Sequence, residues 1–233
     1  MLGLGNSITY NAPLYDDAFT PEGLSSAIHF WRADVGVEES DGSFPEDGEQ
    51  VTKWRDQVGS EHATASSDFP TYNTSETALE MDGAGKQLVL PSGDVSLSGD
   101  FSIWVRVKFD SISNDDKFLI DSSNASMFWR VTNNTTSRLK VAAGGGGNND
   151  FTLPSTLSTG VNFNIAIQRS GSDLRLYLDG VESTTGALSE TNTVTFDRIK
   201  GSLSDKFQAL LVCNSALSVT ERSNMNTWLD DNL

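Results

Sequence analysis

The chain has 233 residues, 37% of them hydrophobic, a formal net charge of -16 at pH 7 and a pI near 4.3. That length admits one large all-β domain or two small ones with ample core. The acidity argues against nucleic acid as a partner, because phosphate binding needs Lys and Arg to displace counterions; it favours solubility and suits a cation-rich medium. One cysteine, Cys213, excludes an intrachain disulfide and, lying in an apolar run, reads as a buried inert thiol. No apolar stretch is long enough to span a bilayer. The opening MLGLGNSITYNAP lacks a basic region ahead of its scattered apolar residues and does not read as a secretory signal.

Residues 1–23 carry no clean period. Leu2, Leu4, Ile8, Tyr10, Leu14 and Tyr15 are spread among Gly, Asn and Pro, more apolar groups than a free polar tail holds. This segment is expected to be an extended arm that packs on its own domain or on a neighbouring subunit. Residues 24–233 read as one domain. They open on an apolar stretch with His29 and Trp31, a Gly-rich acidic loop over 38–49, and a short strand or turn over 51–56. Leu79 and Met81 fit a strand closed by Asp82-Gly83, and Leu88-Val89-Leu90 fits another closed by Pro91. Over 101–109, Phe101, Ile103, Val105, Val107 and Phe109 face one way, while Ser102, Trp104, Arg106 and Lys108 face the other. Further strands fit 117–121, 127–132, 138–142, 194–196 and 207–213. The glycine run 144–147 with the following Asn-Asn-Asp reads as a mobile loop, and it lacks the Gly-Lys-Ser/Thr ending of a phosphate loop.

The stretch VNFNIAIQRSGSDLRLYLDGV, residues 161–181, is a hairpin signal. Phe163, Ile165 and Ile167 alternate with polar or small residues, Ser170 to Asp173 supply a turn, Leu174, Leu176 and Leu178 resume the alternation, and Asp179-Gly180 marks the next tight turn. Ser218-Val219-Thr220-Glu221 is a capping-box sequence, and Met225, Trp228 and Leu229 follow at helical spacing, so a short helix should close the chain. Many short alternating runs separated by turn residues favour a two-sheet sandwich.

Several stretches resemble the concanavalin A-like (laminin-G-like) jelly rolls. AIHFWRADVGV, the acidic loop and VTKWRDQVGSEHATA look like their opening W-x-A-D-x-G and W-x-D-x-x-G patterns. ALEMDGAGKQLVLP, LSGDFSIWVRVKF, the 161–181 hairpin and FQALLVCNSALSVTERSNMNTWL follow in the expected order over residues 24–233. The resemblance implies an antiparallel jelly-roll sandwich with a short C-terminal helix. It does not give function, since this superfold hosts hydrolases, lectins and structural modules.

Chemistry must therefore come from the residues. A glycosidase of this fold needs two carboxylates about 5–10 Å apart across the sugar. In laminarinase-type relatives they lie on one strand, patterned E-x-D-x-x-E or E-x-D-x-E. The nearest match, Glu39-Ser40-Asp41, lacks the final Glu and sits in the loop, so no catalytic residues are assigned and the chain reads as a non-enzyme. His29, beside Phe30 and Trp31, reads as a hydrogen-bonded core residue and His62 as part of a polar turn, with no metal spacing. No cofactor is expected. Calcium at Asp41–Asp47 or Asn114–Asp116 stays an open alternative, with a solvated acidic loop as the blander reading.

Trp31, Trp54 and Trp228 fall in framework motifs and read as core. Trp104, Arg106 and Lys108 share the polar side of their strand, and Asn164, Gln168, Arg175 and Tyr177 share the polar side of the hairpin. In one sheet, these residues form a sugar-binding surface, a protein contact, or a face covered from within by the N-terminal arm. A lectin-type sandwich, no signal peptide and an apolar arm together point to a virion surface protein made in a host cytoplasm. The start MLGLGNSIT is similar to starts of marine phage structural proteins. The leading expectation is a phage capsid decoration protein contacting other virion proteins of shell or tail, with homo-oligomers an open state. The alternative is an adhesin, tail-associated or free, recognising host surface glycans, and a glycoside hydrolase with an unfamiliar acid pair stands third.

Overall fold

The structure, a computed structural model, describes residues 19–81, 85–90, 95–112, 116–124, 127–141, 147–200 and 205–233. The arm residues Leu2, Leu4, Ile8, Tyr10, Leu14 and Tyr15 lie outside them. A 3-10 turn, η1 (Pro21–Gly23), leads into β1 (Ala27–Arg32), β2 (Val37–Glu38), β3 (Lys53–Trp54), β4 (Ala63–Thr64), β5 (Thr71–Asn73), β6 (Ala78–Met81), β7 (Gln87–Val89) and β8 (Val95–Leu97). Next come β9 (Phe101–Phe109), β10 (Asp116–Ile120), β11 (Phe128–Asn133), β12 (Thr136–Lys140), β13 (Asn148–Thr152), β14 (Asn162–Ser170) and β15 (Asp173–Leu178). The chain ends with β16 (Val181–Glu182), β17 (Leu188–Ser189), β18 (Val194–Phe196), β19 (Arg198–Lys200), β20 (Asp205–Cys213) and the helix α1 (Val219–Asn232).

Among the described residues these strands form two large antiparallel sheets and a two-stranded ribbon of β18 and β8. The first sheet runs β16-β15-β14-β9-β20-β6-β5, with β1 also on β20 and β17 on β15; the second runs β13-β12-β11-β10-β19-β7-β4-β3-β2. Alternation sets the faces. Phe101, Ile103, Val105 and Val107 of β9, Ile165 and Ile167 of β14, and Leu174 and Leu176 of β15 are buried against Trp129 and Val131 of β11, Leu139 of β12, Phe151 of β13 and Ile199 of β19. Phe118 bridges the sheets, with its ring centroid 5.1 Å from Trp129 and 6.0 Å from Phe207.

Turn chemistry fixes the register of the first sheet. Ser170 faces Asp173 across a two-residue turn with Gly171 at φ 61°, and Leu178 faces Val181 across Asp179 (φ 49°) and Gly180 (φ 78°). Two successive positive φ angles make the second a type I′ turn, which matches the right-handed strand twist and favours Asp-Gly. Strand β20 pairs with β9 along one edge, and a bulge at Gln208 splits its other edge between β6 and β1. Both W-x-A-D and W-x-D motifs then converge at Asp56. Its Oδ1 accepts the N–H groups of Phe30, Val58 and Gly59 at 2.9, 3.0 and 3.0 Å, and its Oδ2 accepts from His29 Nδ1 at 2.7 Å. Arg169, 1% exposed, donates to the carbonyls of Leu97, Gly99 and Asn192 and so ties the β8–β18 ribbon to the first sheet.

The sequence places Asn148-Asn149-Asp150 in a loop. The structure places them in β13, because Phe151 is buried in the core and the Arg138 guanidinium of β12 grips Asp150. Tertiary pairing also recruits β2, β4, β5, β17 and β19, which carry no local pattern of their own. Helix α1 forms as expected: Ser218 Oγ accepts from the Glu221 N–H at 3.2 Å and the Glu221 carboxylate accepts from the Ser218 N–H at 2.8 Å.

Candidate functional site

The outward side of the first sheet is where the sequence places a binding surface. Strand register brings most of those residues together: Asn164 faces Arg106, Ala166 faces Trp104 and Tyr177, and Gln168 faces Ser102. The face is closed, however. Helix α1 lies over it, and Trp104, Ala166, Tyr177, Leu211, Met225 and Leu229 form one buried cluster with Phe30. Trp104 is 1% exposed and Asn164 1%.

The polar groups there hold the helix down. Arg106 Nη1 donates to Asn164 Oδ1 at 2.9 Å and to Asp230 Oδ1 at 2.6 Å, while its Nε donates to Gln208 Oε1 at 3.0 Å. Gln168 Oε1 accepts from the Ser102 hydroxyl and the Leu217 N–H, fixing the turn ahead of α1. The Arg222 guanidinium sits 4.6 Å from the Tyr177 ring centroid. Burial is therefore intramolecular, as one of the sequence alternatives held; among the described residues the cover is the C-terminal helix, and the N-terminal arm named from sequence lies outside them. Lys108 pairs with Glu76 at 2.7 Å and Arg175 with Glu182 at 2.5 Å, both at the margin of the covered area. Arg106, Asn164, Gln168, Tyr177 and Trp104 are thus not an open ligand surface.

The acidic loop has its own geometry. A hydrogen bond to Glu49, with Asp41 and Glu46 nearby, pushes the Glu39 carboxyl up to about 7 and holds Glu49 below its ordinary value. Glu39 is half-buried and Glu49 exposed, beside an open cleft that also includes Gln50, Thr52 and Phe69. Asp41 is committed to the Ser43 N–H and hydroxyl, and Asp47 to Thr74. Among the described residues no three His, Cys, Asp or Glu side chains converge to hold a metal ion. His29 is bonded to Asp56 and stacks on Trp31 with centroids 5.2 Å apart, and His62 Nδ1 accepts from the Asp56 N–H. Cys213 is buried, which pushes its thiol up to about 12.

The outward side of the second sheet has no covering helix. Here the register stacks cations. Lys117 of β10 faces Arg130 of β11, Arg130 faces Arg138 of β12, and Phe128 faces Lys140. Arg198 and Lys200 continue the face on β19, since Ile120 pairs with Arg198 and the intervening Ile199 points into the core. The Phe128 ring lies beneath three of these groups, 4.8 Å from the Arg130 guanidinium, 5.7 Å from Lys117 and 5.9 Å from Lys140. Such cation–π contacts hold long side chains in place at low cost in rotamer freedom. Asp150 is forked onto Arg138 at 2.5 and 2.8 Å, Asp197 lies 3.5 Å from Arg198, and Lys117 and Arg130 are partnered as well. A chain of net charge -16 thus gathers six of its sixteen Lys and Arg residues on one face. The sequence reading missed this face. Its signal is the alternation of Phe128, Arg130 and of Arg138, Lys140 with core residues.

Sequence comparison bears on what such a sandwich is. The family model described as the concanavalin A-like lectin/glucanases superfamily matches residues 82–210. The chain belongs to that superfamily. Among solved structures, Trypanosoma rangeli sialidase is similar with a TM-score of 0.60 at 11% identity, over 89% of this chain and 33% of the sialidase. The ligand binding domain of botulinum neurotoxin serotype D, in complex with N-acetylneuraminic acid, is similar with a TM-score of 0.61 at 13% identity, over 87% of this chain and 50% of that one. At these identities the likeness shows the shared lectin-like fold, and the chain spans only a third to a half of those proteins. No curated protein matches the chain in sequence.

Proposed function

We propose that this superfamily member is a non-catalytic carbohydrate-binding module whose ligand face is the outward side of the second sheet. The observation that carries the reading is the cluster of Lys117, Arg130 and Lys140 held on Phe128, on the large sheet face that α1 leaves open. The similar botulinum neurotoxin domain, solved with N-acetylneuraminic acid, supports a sugar as the ligand class. The sequence carries no E-x-D-x-x-E or E-x-D-x-E strand pattern of the kind laminarinase-type relatives use, which supports the non-catalytic part. A broad glycan array probed with the labelled chain tests it: binding is expected, lowered by Lys140→Ala and unchanged by Lys108→Ala. No binding to any glycan overturns the reading.

Placement of the module on a phage particle is a second proposal, resting on the apolar residues Leu2, Leu4, Ile8, Tyr10, Leu14 and Tyr15. Immunogold labelling of particles tests it, and absence of label on capsid and tail overturns it.

A further inference from the structure

We infer that the chain carries a second small-ligand site, a groove on the flank of α1 that takes a neutral sugar of one or two rings through its hydroxyl groups. The groove encloses about 410 Å³ between the β15–β16 turn and the helix, a volume in the range of small-molecule sites. It lies on the first sheet's side of the sandwich, away from the face of the second sheet, and the inference does not depend on that face. Helical spacing builds one wall. Val219, Arg222, Asn226 and Asp230 recur at three and four residues, so they line up along about 16 Å of one flank, while Met225 and Leu229 turn to the sheet. The turn builds the other. Gly180, at φ 78°, comes so close that a Cβ there would stand 2.5 Å from Asn226 Nδ2, so glycine keeps the seam open to the Asn226 amide.

The hydrogen-bonding capacity left in the groove decides the ligand class. Asn226 Oδ1 is buried with no hydrogen-bond partner, a state that native proteins rarely leave without a use. Asp179 Oδ1 accepts from the Asn164 N–H at 2.8 Å, and Asp230 Oδ1 accepts from Arg106 Nη1 and Asn164 Nδ2 at 2.6 and 3.0 Å. Among the described residues the second oxygen of each carboxylate accepts from no donor. Arg222 Nη1 donates to the Leu217 carbonyl at 2.8 Å and the guanidinium stacks on Tyr177, which holds it in place with Nε and Nη2 uncommitted. The groove thus offers three acceptors and one placed donor group, the complement of a ligand with several hydroxyls that donate and also accept.

Charge and apolar contact narrow this to a neutral sugar. Asp179 and Asp230 are balanced by Arg106 and Arg222, so the groove has no net charge to attract an ammonium or a carboxylate ligand. The -16 of the whole chain disfavours an anion further. Val219 and Val181, 73% and 58% exposed, are the two most exposed large hydrophobic side chains among the described residues, and both line this groove. The C–H face of a pyranose ring covers such side chains while its hydroxyls reach the acceptors; a bare ion would leave them in water.

Saturation-transfer NMR on the full chain tests this with methyl glucoside, methyl galactoside, methyl mannoside, maltose and lactose, against N-acetylneuraminate and putrescine as charged probes. Saturable binding of at least one neutral sugar is expected. Asn226→Ala should weaken it about tenfold or more, with no fall in melting temperature, because the change breaks no hydrogen bond of the fold. Ser223→Trp, on the exposed rim, should block it, and Lys140→Ala should leave it unchanged. Binding that either α1 variant leaves intact overturns the site. Loss in Lys140→Ala transfers the sugar to the second sheet, overturning this inference and keeping the reading above. Tighter binding of N-acetylneuraminate or putrescine than of every neutral sugar overturns the ligand class. No binding of any probe overturns the inference and leaves the second-sheet reading to its own array.

Discussion

Asp56→Ala should be the most damaging single change outside the apolar core. The side chain is fully buried and holds four donors: the N–H groups of Phe30, Val58 and Gly59, and His29 Nδ1. Truncation strands three N–H groups and an imidazole between β1 and the 56–59 turn. Each buried unsatisfied donor costs about 1–3 kcal/mol, and water entering the vacated volume recovers part. A loss of about 3–5 kcal/mol follows, set against a typical total of about 5–15 kcal/mol. Burial pushes the carboxyl upward, but the bonds from His29, Phe30, Gly59 and Val58 outweigh it and hold it below the ordinary value. A depressed folded-state pKa stabilises above the unfolded value of about 3.9, and that stability is lost as pH falls through the folded value. Urea unfolding followed by tryptophan fluorescence, at neutral pH and stepwise below about pH 4, measures both. Asp56→Asn keeps an acceptor and should cost less while flattening the acid limb. A loss under about 1 kcal/mol for Asp56→Ala, or an acid limb unchanged in Asp56→Asn, would refute the staple.

Three further outcomes follow from the packing. Leu229→Ala removes a 1%-exposed side chain from beneath α1; it should cost about 2–5 kcal/mol and red-shift tryptophan emission as water reaches Trp104. Gly180→Ala forces an L-residue to φ 78° and places a Cβ 2.5 Å from Asn226 Nδ2; thermal unfolding should show a loss of about 1 kcal/mol or more. Cys213, with its thiol pushed up to about 12, should ignore a thiol reagent in the native state and react fully in denaturant.

What the sequence makes legible is what is local. Strand β9 and the β14–β15 hairpin show because alternation and the Asp179-Gly180 turn lie within a few residues, and Ser218 to Glu221 show as a cap for the same reason. Strand β13 does not show: Asn148-Asn149-Asp150 has loop composition, and only the Arg138 fork and the burial of Phe151 make it extended. The binding face is harder still. Alternation correctly turns Trp104, Arg106 and Tyr177 away from the inter-sheet core, but it cannot say what covers them. Helix α1 has little apolar stripe to advertise: within it only Met225 and Leu229 are fully buried, and Asp230 and Arg222 anchor it through polar contacts. The basic face combines residues from β10, β11, β12 and β19, and only register brings these together.

The two outward faces carry opposite solutions to one problem. A sheet face with buried Arg, Asn and Gln is stable only if each polar group finds a partner; on the first sheet α1 supplies Asp230, and the turn ahead of it supplies the Leu217 N–H. That commitment removes the face from binding, because any ligand reaching Arg106 would have to displace a capped fourteen-residue helix together with Met225 and Leu229. The second sheet solves the problem without a lid. Lys117, Arg130 and Lys140 pack on the Phe128 ring, so this face is stable without a covering helix. The side of the sandwich on which the C-terminal helix docks therefore decides which sheet face stays open, and on the proposed carbohydrate reading that is the second sheet. On that reading, Asp150→Asn, which removes the carboxylate gripped by Arg138, should change glycan binding on an array at little change in melting temperature, and unchanged binding would place the ligand away from β12 and β13.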